Sequence, residues 1–164
     1  MKHTIIHRKH FSLVELLVVI AVIAILAGIV LGAMDGINKK KDQAKTAGVI
    51  QEIGLALTKY YDEHGEYPTL TVAGNNSIIE TNFNDTLGPY YSISSEFISG
   101  GYIVDTWEQG IQYIPNTSYS DTVGYKNSAD IHYNPSTFQL ISFGKDGSVE
   151  TTPGSPDDVA NFKP

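Results

Sequence analysis

The chain has 164 residues, 41% hydrophobic and 18% charged, which allows one packed domain and excludes a disordered chain. A net charge of −7 leaves no basic face able to neutralise many phosphates, so no nucleic-acid partner is expected. There is no cysteine, which excludes a disulfide framework, a thiolate metal site and a thiol nucleophile.

In chain order, Lys2, Arg8 and Lys9 come first, with no acidic residue before Glu15. Leu16 to Met34 then runs 19 residues without a charge. As a helix it spans roughly 28 Å, close to the ~30 Å hydrocarbon core of a bilayer. Cations ahead of a single apolar span favour a cytoplasmic N-terminus, with the rest of the chain across the membrane. Three readings follow: a cleaved signal peptide, a plain anchor, or an anchor in which Glu15 has a function. The first has a poor small-x-small site, because Leu31-Gly32-Ala33 puts Leu where a small residue is wanted. A carboxylate at the edge of an apolar span is a functional candidate, and the alternative is an interfacial residue facing headgroups.

Asp35 to Asp42 is polar and carries Lys39, Lys40 and Lys41. Beyond it Ala47, Ile50, Ile53, Gly54, Leu57, Tyr60 and Tyr61 recur every three or four residues, one face of an amphipathic helix. No proline precedes Pro68, so one helix is predicted from Leu13 to Asp62, and His64-Gly65 is its stop. Residues 70–100, rich in Asn, Ser, Thr and Gly, read as loop with a short helix over Ser92 to Ile98. Tyr102–Val104, Ile111–Ile114, Ile131–Tyr133 and Gln139–Phe143 read as strands, the last three as an antiparallel meander. The expected fold class is α+β: a long N-terminal helix packed through its Ile53/Leu57/Tyr60 face on a small antiparallel sheet.

Trp107, the only tryptophan, reads as a core residue rather than a ligand-binding one. His64 and His132 have no nucleophile paired with them, and no glycine-rich phosphate loop occurs, so the chain is not expected to be an enzyme. Asp146, Asp157 and Asp158 admit two readings. One is an Asp-Gly turn followed by a solvated acidic tail. The other is a Ca²⁺ loop, with carbonyls near Phe143 or Ser155 completing the shell.

Phe11-Ser12-Leu13-Val14-Glu15 and the apolar run behind it resemble the N-terminal signal of type IV pilins and pseudopilins. That pattern has a basic leader, a cleaved bond, Phe, a small hydroxylated residue, Leu, an aliphatic residue and Glu. The family usually has Gly before the cleaved bond, where this chain has His10. Downstream, Tyr60, Gly65, Tyr67, Pro68 and Thr69 resemble an element of the major pseudopilin of type II secretion systems. Asp105, Trp107 and Tyr113 match a further stretch, in which Thr106 and Glu108 stand where the family has Pro and Gly. Gly144, Asp146 and Gly147, followed by Asp157-Asp158-Val159 and Asn161-Phe162, resemble its closing strand and metal loop.

The resemblance implies cleavage between His10 and Phe11 by a prepilin peptidase and N-methylation of Phe11. It implies that Glu15 pairs with a neighbouring protomer's terminal ammonium during assembly. It implies a structural Ca²⁺ at Asp146, Asp157 and Asp158. The domain reading is a leader over 1–10, a helix over 11–63 (assembly half 11–34, amphipathic half 35–63) and a globular head over 64–164. The implied subunit polymerises with its own copies and with minor pseudopilins. A platform protein and an ATPase of a secretion system drive it, with the helix in the bacterial inner membrane and the head in the periplasm. The alternatives are a type IV pilus subunit for adhesion, motility or DNA uptake, and a membrane-anchored or secreted binding module. Removing residues 1–10 lowers Lys+Arg from 11 to 8 against 18 acidic residues and takes the net charge to −10.

Overall fold

The computed structural model describes residues 12–71, 76–120, 124–126, 129–148 and 158–162, with the backbone alone for 30–35. Two compact units divide the chain, one ending at Lys39 and the other beginning at Lys40.

Helix α1 covers Leu13–His64, 52 residues, within two residues of the predicted limits. Its start is a capping box. The Ser12 hydroxyl accepts the Val14 N–H at 3.3 Å, and the Glu15 carboxylate accepts the Ser12 N–H at 2.9 Å. Its end is the expected glycine. Gly65 takes a left-handed φ of 76°, and its N–H donates to the Tyr61 carbonyl at 2.7 Å.

In the first unit the apolar side chains of α1 face outward, from Leu13 at 80% exposed to Ile29 at 66%. Among the described residues no helix is long and apolar enough to cross a membrane. The apolar run continues through residues 30–34, whose side chains lie outside those described.

In the second unit Val49, Ile50, Ile53, Ala56 and Leu57 of α1 are buried. They pack with Leu70, Ile78, Ile103, Ile111, Tyr113 and Leu140 in one core. This is the predicted face, with Ile53 and Leu57 fully buried and Tyr60 partly so. Gly54 lies against the Phe138 ring, and a Cβ there would make an ordinary van der Waals contact with it at 3.7 Å.

Helix α2, Glu80–Leu87, falls in the segment read as loop. Its sequence, ETNFNDTL, favours turns over helix, and only Phe83 and Leu87 anchor it. They are four residues apart, on one face, and both are fully buried. The short helix expected over 92–98 is a single 3₁₀ turn, Ser95–Phe97.

Strands β1 (Ile98–Ser99) and β2 (Tyr102–Ile103) form a small antiparallel pair. β3 (Gln112–Pro115), β4 (Phe138–Ser142) and β5 (Val159–Ala160) form an antiparallel sheet in that order. This is the expected α+β class, with one correction. Ile131–Tyr133 is not a strand, and β5 takes its place beside β4. The segment pairs instead with 125–126, where His132 bridges Lys126, and Gln139, fully buried in β4, holds that loop. The Gln139 side-chain amide accepts the Tyr125 N–H at 2.7 Å and donates to the Tyr125 and Tyr133 carbonyls at 2.9 and 2.7 Å. One side chain thus satisfies the Tyr133 carbonyl and both backbone groups of Tyr125, while the Tyr133 N–H donates to the Tyr125 carbonyl at 3.0 Å.

Every residue of β4 is buried, because both faces of the central strand are covered. Phe138 and Leu140 join the core with α1, while Ile141 packs with Phe143 and Phe162, flanked by Tyr125 and Tyr133.

Candidate functional site

The residues singled out from sequence fall in three places. The first is the start of α1. His10 and Phe11 lie outside the described residues. Glu15 occupies the third helical position, where its carboxylate answers the Ser12 N–H. A negative group there also suits the positive end of the helix dipole. Ser12 has a part that the sequence reading missed. The signal was present, since a hydroxyl residue three positions before Glu at the head of an apolar run is the capping-box pattern.

The second place is the turn after β2. Asp105 is 2% exposed. One carboxylate oxygen accepts the N–H groups of Trp107 and Gln109 at 2.8 and 2.9 Å, and the other accepts the Ser142 hydroxyl. The Ser142 oxygen in turn accepts the Gly144 N–H at 3.1 Å. One carboxylate thus ties the 105–109 turn to the end of β4. Burial pushes the Asp105 carboxyl above the usual carboxylate range, and the hydrogen bonds from Ser142 and the two backbone N–H groups oppose that rise.

Thr106, where the resembled family has Pro, uses its hydroxyl on α1. It lies 3.0 Å from the Thr46 hydroxyl and donates to the Asp42 carbonyl at 3.2 Å. Glu108, where that family has Gly, keeps a left-handed φ of 64°. The turn therefore retains a glycine-like backbone under a glutamate side chain. Trp107 corrects an expectation: it sits in the 105–109 turn, half-buried and outside both core clusters, with its backbone N–H held by Asp105.

The third place is the predicted metal loop. Asp146 is exposed, and one of its oxygens accepts the Ser148 N–H at 2.9 Å, the Asp-Gly turn of the simpler reading. Asp158 is half-buried ahead of β5, and Asp157 lies outside the described residues. Among the described residues no group of three His, Cys, Asp or Glu converges on a point. Chemically, Asp146 and Asp158 offer the hard oxygen donors that Ca²⁺ takes.

The chain is similar to curated proteins over most of its length. It is 27% identical over 155 residues to the type II secretion system core protein G of Escherichia coli (strain K12), covering 94% of this chain and 91% of that protein. It is 28% identical over 156 residues to the protein of the same name from Aeromonas hydrophila, covering 93% and 90%. A fimbrial protein of Neisseria meningitidis serogroup A is 29% identical over 99 residues, covering 60% of this chain and 55% of that protein. No protein-family model matches the chain, and no solved structure matches it.

Proposed function

Because the chain belongs to the type IV pilin and pseudopilin family, we propose that it is a structural subunit of a type II secretion pseudopilus, polymerising through α1. The observation that carries this reading is the surface of α1 in the first unit. Leu13, Leu16, Ile20, Ile23 and Leu26 are each more than half exposed. Contiguous apolar surface of that kind calls for lipid or protein to cover it. The reading supplies both in turn: the inner membrane before assembly and neighbouring helices after it. Likeness to the secretion proteins runs through about nine-tenths of both chains, whereas likeness to the fimbrial protein stops near half of its length. That difference favours secretion over a pilus, and both readings make the chain a structural subunit rather than an enzyme.

On this reading a prepilin peptidase cuts between His10 and Phe11, and Phe11 is N-methylated. Glu15 then pairs with the terminal ammonium of a neighbouring copy. Minor pseudopilins, a platform protein and an ATPase complete the machine, and the heads stand in the periplasm. The reading includes a structural Ca²⁺ held by Asp146, Asp157 and Asp158. Its support is the donor chemistry and the Gly144-x-Asp146-Gly147 motif.

The deciding experiment is Glu15→Ala in cells that process the chain, with membrane fractionation and shearing of filaments side by side. The expected result is normal insertion with loss of filaments. Losing one partner of a buried ion pair typically costs about 3–5 kcal/mol. Normal filaments from the variant would remove Glu15 from the mechanism. A mass spectrum without N-methyl-Phe11 would favour a membrane-anchored or secreted binding module instead.

A further inference from the structure

A cavity of about 230 Å³ lies beside the 105–110 turn. One wall is the β1–β2 pair, where Ser99 and Tyr102 are directly opposite in register and so share a face. The other wall comes from the bridge between Val104 and Gly110, with Glu108 at the tip of the turn that joins them. Gly110 keeps the two walls apart from a clash, since a Cβ at that position would lie 2.7 Å from the Ser77 hydroxyl oxygen.

Two features of Glu108 call for an explanation. Its backbone is left-handed, a conformation that disfavours any residue with a Cβ, at a position where the resembled family has glycine. Its carboxylate, at the rim of a cavity, makes no hydrogen bond or ion pair among the described residues. Strain held at the edge of a pocket, with an unused charge, points to a ligand.

The lining defines the ligand's chemistry. A carboxylate selects a cation. Tyr102, about a third exposed, offers its ring to stem or charge, and Ser77 and Ser99 make the rest of the lining mainly polar. The volume is below the ~300 Å³ at which small-molecule pockets begin, so it suits one side chain.

The chain carries that side chain itself. Its only arginine, Arg8, lies in the leader, whereas Lys40, Lys41 and Lys59 are exposed on α1 and make no ion pair among the described residues. We infer that the Glu108 cavity receives a lysine side chain of α1 from a second copy of this chain. This inference rests on the polymerising reading above and adds to it a contact made by the head.

The test uses filaments of the full processed chain, assembled from equal parts of ¹⁵N-labelled and unlabelled copies. A water-soluble carbodiimide joins a carboxylate to an amine that is already in ion-pair contact, and mass spectrometry identifies the joined peptides. The expected result is Glu108 joined to Lys40, Lys41 or Lys59 in mixed-isotope pairs. Glu108→Gln should raise the concentration needed for assembly about fivefold and leave the unfolding midpoint of the unassembled chain unchanged. If filaments form and other carboxylate–lysine pairs are recovered, but Glu108 is absent and Glu108→Gln assembles like wild type, the inference falls and the polymerising reading stands. Joining of Glu108 only within one copy overturns it as well. A chain that forms no filaments defeats both.

Discussion

Asp105 permits the sharpest stability prediction. The perturbation is a pair of substitutions, Asp105→Ala and Asp105→Asn. In Asp105→Ala the Trp107 and Gln109 N–H groups and the Ser142 hydroxyl all lose their acceptor in a site 2% exposed. Hydrogen bonds to a charged acceptor contribute about 1.5–3 kcal/mol each, while relief of the carboxylate's desolvation returns several kcal/mol. The net expected loss is about 2–4 kcal/mol. Asp105→Asn keeps an acceptor for both N–H groups and carries no charge to desolvate, so it should stay within about 1 kcal/mol of wild type at neutral pH.

The pH dependence has a definite sign. The folded-state pKa of Asp105 is raised, so between the ordinary carboxylate value and the raised one the folded chain binds more protons than the unfolded chain. The contribution of Asp105 is fully present below the ordinary value and is lost as pH rises through the raised one. Urea unfolding read by the emission of Trp107, the only tryptophan, measures this directly. Wild type should gain on Asp105→Asn as pH falls. Equal losses in both variants, or a wild-type advantage that grows with rising pH, would refute the reasoning.

Leu57→Ala removes a fully buried side chain at the contact of α1 with the sheets, and should cost about 2–5 kcal/mol in urea unfolding with little change in slope. Glu108→Gly relieves the left-handed backbone and should raise stability by about 1 kcal/mol in the same assay. If Asp146, Asp157 and Asp158 hold Ca²⁺, chelating with EGTA a free Ca²⁺ concentration of about a hundredfold its dissociation constant should remove about 2.7 kcal/mol. An unfolding midpoint indifferent to EGTA would take calcium out of the reading.

What the sequence revealed depended on how local the cause was. Helix α1 was legible because its periodicity, its lack of proline and Gly65 all act within a few residues of one another. The Ile53 and Leu57 face followed from the same spacing. Helix α2 was not legible, because ETNFNDTL has little intrinsic helix preference and its stability comes from burying Phe83 and Leu87 against distant residues. The strand expected at 131–133 failed for a similar reason. Its β-branched and aromatic residues suit a ladder, but it pairs with 125–126 rather than with β4, and Gln139 takes the Tyr133 carbonyl; nothing near 131–133 announces that. Asp105 was legible as part of a family-like stretch, while its burial and its reach to Ser142 were not, because they join residues 37 positions apart.

The capping box at the start of α1 bears on how the proposed assembly works. In the single chain the Glu15 carboxylate already accepts the Ser12 N–H. It is therefore not a bare charge waiting for a partner: one oxygen, Oε2, is already engaged, and a neighbour's terminal ammonium would meet the other. The ammonium brings a full opposite charge that the Ser12 N–H lacks. Because the carboxylate is partly satisfied before assembly, the pair adds less cohesion than a salt bridge to a bare carboxylate. Its stronger effect is selective. Only a neighbour at the axial offset that brings its ammonium to Glu15 restores the balance, whereas any other offset buries that ammonium unpaired. Cohesion would then come from the apolar faces of α1, which slide past one another with little preference, and Glu15 would choose the register at which they stop.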